Sequence, residues 1–246
     1  MSSQQPGSAQ RATAFVAPRC GAALRPLVAL LVLLLVATTA RAGFFHGFAN
    51  PFLDLRPIED QLEIVERERE LLAVDASTRR VVAVEIERGE WVEWQHVRGR
   101  VALAITNRRV LAAVAGSSHW AERALRLSES EPVRIVLGDR VALVATDQRV
   151  LGFEGISGSW SETELRPREH VLSAGAGTNV AVAVTRLRVL GVAALAGGLF
   201  EQRLGIREDV HSLKVHGSFA TVTTRLRLLT FRSPDGSWQA TNLDFR

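Results

Sequence analysis

The stretch RVALVATDQRVLGFE, at residues 140–154, decides the fold because near-copies of it recur through the chain. The copies are RVALAITNRRVLAAV at 100–114, NVAVAVTRLRVLGVA at 179–193, SFATVTTRLRLLTFR at 218–232 and, more weakly, ELLAVDASTRRVVAVE at 70–85. Each copy has two short runs rich in aliphatic and β-branched residues, separated by a polar turn with a Ser/Thr-x-x-Arg pattern. We predict that each copy is a β-hairpin.

The arginine that ends each turn sets the length of the repeat. These arginines are Arg80, Arg109, Arg149, Arg188 and Arg227, and the first interval between them is clearly shorter than the other three, which are nearly equal. A second mark, a bulky apolar residue followed two positions later by glutamate, recurs at Trp91/Glu93, Trp120/Glu122, Trp160/Glu162 and Leu199/Glu201, and the last unit has Trp238 with Ala240. Such a period is typical of a repeat array.

Each full unit is predicted to hold four strands, which in the third unit span 133–137, 140–145, 149–154 and 159–165. The second strand is apolar almost throughout, as in VALVA, which predicts that both of its faces are covered. Period and strand order resemble the β-propeller class, although the Gly-His and Trp-Asp marks of WD40 repeats are absent. The resemblance implies an all-β, five-unit propeller-like array over residues 61–246, with an irregular first unit. An open β-solenoid is the alternative, because the sequence does not show that the ends meet.

Residues 1–42 have the features of a secretory signal peptide. Arg11, Arg19 and Arg25 precede an apolar run at 27–37, and small residues surround an expected cleavage site after Ala42. The run is shorter than the ~20 residues of a membrane span. These features predict export to the periplasm or the extracellular space, and an uncleaved N-terminal anchor is the alternative.

The composition after residue 42 restricts the partners. All 26 acidic residues and 26 of the 30 basic ones follow this position, so the mature chain has no net charge and no nucleic-acid partner is expected. The single cysteine, Cys20, lies in the leader. The exported chain is therefore expected to rely on packing without disulfides.

Residues 43–60 form an aromatic and proline-rich tail. Phe44, Phe45, Phe48 and Phe52 share this short segment with Pro51 and Pro57, which disfavour both helix and strand. The tail is interpreted as a set of apolar plugs for a groove of the folded domain. The alternative is an arm that contacts a partner or inserts into a membrane.

The repeated arginines are the main candidate for binding. All turns between second and third strands lie on one face of a propeller, so a basic ring could hold an anionic ligand by bidentate hydrogen bonds. The candidate residues are Arg108, Arg109, Arg186, Arg188, Arg225 and Arg227. In the alternative interpretation, each repeated arginine pairs with the glutamate of the fourth strand. Arg227 lacks that glutamate and is predicted to be the free anion contact.

The sequence predicts neither an enzyme nor a bound metal or cofactor. The six histidines are scattered, and no metal-ligand spacing, nucleophile elbow or phosphate loop is found. The repeated tryptophans could stack on a sugar, but the replacement by Leu199 favours packing between units. The predicted function is an exported protein-interaction or scaffold module of the cell envelope, with its partner on the turn face. The alternatives are a secreted lectin-like or anion-binding protein and, third, a hydrolase built from unrepeated residues.

Overall fold

A computed structural model describes residues 59–129 and 132–243, and the regular structure in these ranges consists of β-strands. Within them, no helix has the length and apolar character needed to cross a membrane. The predicted signal peptide at 1–42 and the tail at 43–60, except for Glu59 and Asp60, lie outside the described residues.

The strands form five antiparallel sheets, each made of strands that follow one another in the chain. Sheet 1 contains β1 (Leu62–Arg67), β2 (Glu70–Asp75) and β3 (Arg80–Glu85). Sheet 2 contains β4 (Val92–Arg98), β5 (Val101–Thr106), β6 (Arg109–Val114) and β7 (Ala121–Ala124). Sheet 3 contains β8 (Arg134–Leu137), β9 (Val141–Ala145), β10 (Arg149–Glu154) and β11 (Ser159–Glu164). Sheet 4 contains β12 (Val171–Ala176), β13 (Val180–Thr185), β14 (Arg188–Ala193) and β15 (Leu199–Arg203). Sheet 5 contains β16 (Val210–Val215), β17 (Phe219–Thr224), β18 (Arg227–Arg232) and β19 (Ser237–Asn242).

The all-β, five-unit, propeller-like array is confirmed, and the strands of the third unit match their predicted bounds to within one residue. The register of sheet 3 aligns Val144, Leu151 and Glu162 on adjacent strands. Every residue of the apolar second strands β5, β9 and β13 is buried. Both faces of these strands are covered, as their uninterrupted apolar sequences predicted.

The core is divided into four apolar clusters, and each lies between two consecutive sheets. The cluster between sheets 2 and 3, for example, contains Leu103, Leu151 and Phe153. In the part of the chain that the structure describes, no such cluster joins sheet 5 to sheet 1. The described sheets therefore stack in chain order, from sheet 1 to sheet 5.

Sheet 5 ends the series with a polar outer face. In β17, Ala220 and Val222 are buried against sheet 4, whereas the alternate residues Thr221 and Thr223 are partly exposed. Thr221 lies opposite Thr230 of β18 on the same outer face. Hydroxyl side chains tolerate contact with solvent.

Sheet 1 is irregular, as predicted, but its assignment to the repeat was wrong. The Gln61 N–H donates to Gly99 O, and the same bond runs from Arg100 N–H to Asp139 O, one repeat further along the chain. By this equivalence β1 corresponds to β5 and β2 to β6, so the strand that sheet 1 lacks among the described residues is the first of the unit. Glu70, not Arg80, occupies the position of the repeated arginine, and the short first interval disappears.

Glycines that recur once per repeat allow the sheets to approach closely. Gly138 and Gly177 occupy equivalent positions in the turns between first and second strands, and Gly99 lies one position later in the same turn of sheet 2. A Cβ atom on Gly177 would overlap the His216 carbonyl oxygen of sheet 5, and one on Gly138 would overlap the Gly177 carbonyl oxygen. The equivalent position in sheet 5 is His216 itself, whose exposed ring stacks on Phe219 at 4.5 Å.

The variant Gly177→Ala is expected to destabilise the fold by about 2–4 kcal/mol, because the methyl group would force sheets 4 and 5 apart. Urea unfolding followed by tryptophan fluorescence measures this loss. Gly205→Ala is the matched control, since its Cβ would meet only ordinary contacts with Glu208. The control should change the unfolding free energy by less than about 0.5 kcal/mol, and an equal loss in both variants would contradict the close approach.

Candidate functional site

The repeated arginines lie in buried ion pairs, each with a glutamate from the connecting turn that enters the same sheet. Arg188 donates from Nε to Glu169 Oε1 at 3.0 Å and from Nη2 to Glu169 Oε2 at 3.2 Å. The Glu169 side chain is 0% exposed and that of Arg188 is 6% exposed. We call this arrangement the arginine clamp. The clamp pairs are Arg109–Glu90, Arg149–Glu129, Arg188–Glu169 and Arg227–Glu208.

Local sequence holds the clamp glutamate in place. In sheet 4, Glu169 Oε2 accepts the backbone N–H of Arg166 at 2.9 Å, which closes the connecting turn. The Thr185 hydroxyl donates to Glu169 Oε1 at 2.8 Å and accepts the Arg188 N–H at 3.0 Å. The Thr-x-x-Arg pattern of the sequence is thus a hydrogen-bonded turn that places threonine and arginine on the same carboxylate.

The clamp also links neighbouring parts of the array. Arg188 Nη1 donates to Glu201 Oε2 of the fourth strand at 2.5 Å, and Nη2 donates to the Glu164 carbonyl of the preceding sheet. The predicted pairing with the fourth-strand glutamate is confirmed for Arg109, Arg149 and Arg188. The connecting-turn glutamate was missed, although it precedes each arginine at a nearly constant distance in the sequence.

Glu169 and Arg188, the clamp pair of sheet 4, both stay charged at neutral pH. Burial would raise the pKa of Glu169, but the Arg166 N–H, the hydrogen bonds from Arg188 and Thr185 and the charge of Arg188 together lower it. The pKa of Glu90, Glu129 and Glu208 is lowered by equivalent groups against the same effect of burial. Burial would lower the pKa of Arg188, but Glu169 and Glu201 raise it. These guanidinium groups are neutralised inside the protein.

The prediction that Arg227 is a free anion contact is wrong. Its Nε donates to Glu208 Oε1 at 2.7 Å and its Nη2 to Glu208 Oε2 at 2.9 Å. Only the second acid is absent, because Ala240 lies opposite Leu229 at the place where the other sheets have glutamate. The Arg227 side chain is accordingly more exposed, at 22%, than that of Arg188.

The six predicted binding arginines divide into two groups. Arg109, Arg188 and Arg227 belong to clamps, so a basic ring built on them is excluded. Arg108 forms an exposed ion pair with Glu87 at 2.9 Å. Arg186 and Arg225 are exposed, and within the described ranges neither side chain forms an ion pair.

The repeated tryptophans pack between sheets. Trp120 and Trp160 are 5% and 8% exposed, and their Nε1 atoms donate to the carbonyls of Val82 and Ala121 in the preceding sheet. Trp238 bonds to the carbonyl of Phe200 in the same way. Packing between units is confirmed for these residues, which excludes sugar stacking on them. Trp91 is 58% exposed and precedes β4, so its assignment to the same repeat position was wrong.

The turns between second and third strands and the connecting turns between sheets lie on one side of the array, which we call the turn face. A groove of about 540 Å³ opens there between sheets 4 and 5. We call it the 4–5 groove. Its lining residues are Leu172, Thr185, Arg186, Leu187, Ile206, Glu208, Asp209 and Val210. Ile206 is fully exposed, and Leu172 and Leu187 are each 42% exposed.

The charge around the 4–5 groove is basic. Arg168 and Arg207 in the two connecting turns are exposed, in addition to Arg186 and Arg225. Glu169 and Glu208 are neutralised by the clamps, so Asp209 is the one exposed carboxylate among the lining residues. The groove can therefore offer guanidinium donors and apolar side chains to a ligand.

No group of three or more His, Cys, Asp or Glu side chains in the described ranges could hold a metal ion. The five described histidines are all exposed. The site is thus a surface of arginine and apolar side chains.

No protein-family model matches the chain, and a search of curated proteins found no match. Among solved structures, the chain is similar to Prp20p from Saccharomyces cerevisiae, with 13% identity over 74% of this chain and 59% of that chain and a TM-score of 0.36. It is also similar to PorZ of Porphyromonas gingivalis (12% identity, 76% of this chain, 27% of that chain, TM-score 0.34) and to the Pan2 WD40 domain of Neurospora crassa (12% identity, 75% and 63%, TM-score 0.30). The chain spans less than two thirds of the length of each of these structures.

The class of the protein follows from the arrangement of its sheets and from the arginine clamps between them. Five consecutive antiparallel sheets, stacked through a repeated buried clamp, define an all-β repeat protein of the β-propeller-like class.

Breaking one clamp should destabilise the fold strongly. Arg188→Met leaves the buried Glu169 carboxylate without its partner, and we expect a loss of about 3–5 kcal/mol in the unfolding free energy. Arg108→Met removes only an exposed pair and should cost at most about 1 kcal/mol. Equal effects in chemical denaturation would contradict a structural role of the clamp.

The pH dependence of the unfolding free energy tests whether the charged form of the clamp glutamates stabilises the folded state. The pKa of the clamp glutamates is lowered on folding, so the clamps stabilise the folded state above the ordinary glutamate value of roughly 4.3. This stabilisation is lost as the pH falls through the lowered values. The double variant Arg188→Met/Glu169→Gln should recover part of the loss and show a shallower acid dependence than the unmodified protein.

Completing the last clamp should stabilise the protein. In the variant Ala240→Glu, the new carboxylate would lie where Glu122, Glu162 and Glu201 bind Nη1 of their arginines. We expect a gain of about 0.5–1 kcal/mol, measured by thermal and urea unfolding. Thr241→Glu, on the opposite face of β19, is the control and should give no gain.

Proposed function

We propose that this protein is an exported, non-enzymatic interaction module of the cell envelope that binds a partner protein on its turn face. The observation that carries the proposal is the concentration of exposed apolar side chains on that face. Leu127 and Ile206 are fully exposed, and Trp91, Leu187 and Leu226 are between 42% and 59% exposed. Exposed apolar patches on a rigid scaffold mark interaction surfaces.

The clamps supply the rigidity that such a surface needs. Each one fixes a connecting turn, the neighbouring hairpin turn and the edge of the preceding sheet, which together form the turn face. Residues held on a rigid framework lose little conformational entropy when a partner binds. The turn face is thus suited to protein recognition.

Export is supported by the leader alone. The basic residues, the apolar run and the small residues before Gly43 have the order of a cleavable signal. A mature chain without cysteine is compatible with an oxidising compartment, because its sheets are held by packing and clamps.

A carbohydrate function is not favoured by the same geometry. The indole N–H groups of Trp120, Trp160 and Trp238 already bond to backbone carbonyls, and the rings fill gaps between sheets. A ring of anion-binding arginines is likewise prevented by the clamps.

Photo-crosslinking in the native host tests the proposal. A photoreactive residue at Leu187 or Leu226 on the turn face is expected to give a discrete protein adduct. Ile156 and Leu195, which are 58% and 39% exposed in turns at the other side of the array, are the matched controls. The same preparation gives the intact mass, which should correspond to a chain that begins at Gly43.

Adducts of equal yield from both sides, or none from the turn face, would argue against a turn-face partner. A full-length chain retained in the cytoplasm would argue against export.

A further inference from the structure

We infer that the 4–5 groove binds an acidic segment of the partner, with two carboxylates on Arg186 and Arg225 and apolar side chains between them. This inference rests on the proposed function, because it assigns the partner to one part of the turn face. Arg186 and Arg225 are the exposed arginines at equivalent turn positions of sheets 4 and 5, one repeat apart.

The repeat fixes the spacing of the two guanidinium groups. Stacked sheets lie about 10 Å apart, so equivalent residues of adjacent sheets are separated by about that distance. A segment in the polyproline II conformation has three residues per turn and rises about 3.1 Å per residue, so side chains three residues apart lie on the same side, about 9 Å from each other. Two carboxylates that occupy both arginines should therefore be three residues apart in the bound segment.

The intervening residues of the segment would meet an apolar surface. Leu172, Leu187 and Ile206 line the groove, and Leu226 follows Arg225 in the neighbouring turn. All four side chains are exposed. Apolar residues between the two acids would cover them, which adds burial of apolar area to the two charged hydrogen bonds.

Charge favours an acidic segment over a basic one. Arg207 lies between the lining residues Ile206 and Glu208, and the Arg225 N–H donates to the Asp209 carbonyl, so both arginines add positive charge beside the groove. The clamp glutamates are neutralised. Asp209 is the exposed carboxylate of the lining and opposes an acidic ligand. The proposal therefore predicts that removal of this charge strengthens binding.

The equivalent groove between sheets 2 and 3 is less suited to the same ligand. Its lining includes Asn107, Arg108 and Arg126, where the turn positions of the 4–5 groove have Arg186 and Leu187. Arg108 is paired with Glu87 and Arg126 with Glu164. The arginines of that groove are already occupied by the chain's own carboxylates.

Fluorescence polarisation with a short labelled peptide tests the inference on the purified exported chain. The probe has two glutamates separated by two leucines, and the control peptide has the same composition with adjacent glutamates. We expect the control peptide to bind about fivefold more weakly. Arg186→Ala and Arg225→Ala should each lower the affinity for the probe peptide by about fivefold, and Asp209→Asn should raise that affinity by about twofold. Arg80→Ala, an exposed arginine of sheet 1, should have no effect.

Equal binding of the two peptides, or unchanged binding to both arginine variants, would overturn the inference. The turn-face crosslinks separate this failure from that of the proposed function. Adducts from Leu187 that survive Arg186→Ala/Arg225→Ala would leave a partner on the turn face but remove the acidic segment from the 4–5 groove. A photoreactive residue at Trp91, on the turn face of sheet 2, is the comparison. Loss of the Leu187 adducts in the double variant, with the Trp91 adducts retained, would support the inference.

Discussion

The buried pair between each repeated arginine and the glutamate of its connecting turn is the interaction on which the array depends. A buried charge is tolerated only when its partner and its hydrogen bonds are complete. Here one carboxylate accepts from arginine, from threonine and from its own turn, and the arginine reaches the preceding sheet. A shift of one strand in register would leave several of these groups unpaired, so the clamp selects one register and one spacing of sheets.

Apolar packing alone would specify the sheets less well. The inner strands are built from Val, Ala and Leu, which fit each other in more than one alignment. The clamp on the turn face and the close approach of Gly138 and Gly177 on the other face fix the two ends of each sheet. Burial supplies the driving force for stacking, and the polar joints supply the alignment.

Much of this fold can be predicted from the sequence, because the repeat is visible in strands and turns. The period, the four-strand unit and the pairing of Arg109 with Glu122 follow from spacing and side-chain alternation. The clamp glutamates were missed because each lies in a connecting turn, and the first two strands of the sheet separate it in sequence from its arginine. The first unit was misaligned because the local match at Ser77 and Arg80 outweighed the longer period that identifies Glu70.

The candidate groove was less predictable. Arginine at a turn looks the same in sequence whether it is buried in a clamp, as Arg188 is, or exposed, as Arg186 is. The distinction depends on a glutamate from a distant turn and on the direction of each side chain. Ile206 and Leu172 are not part of the repeated pattern, so a search for repetition gives no weight to the residues that distinguish one groove from another.

The repetition of one joint between all the sheets has an evolutionary consequence. Duplication of a single repeat that contains one clamp glutamate, one Thr-x-x-Arg turn and one glycine between its first and second strands would add a sheet. The new sheet would already carry the residues for a clamp on the turn face and for a close approach on the other side. The array could lengthen or shorten by recombination without new core contacts. Variation would then fall on the connecting turns, where each copy can acquire its own binding preference.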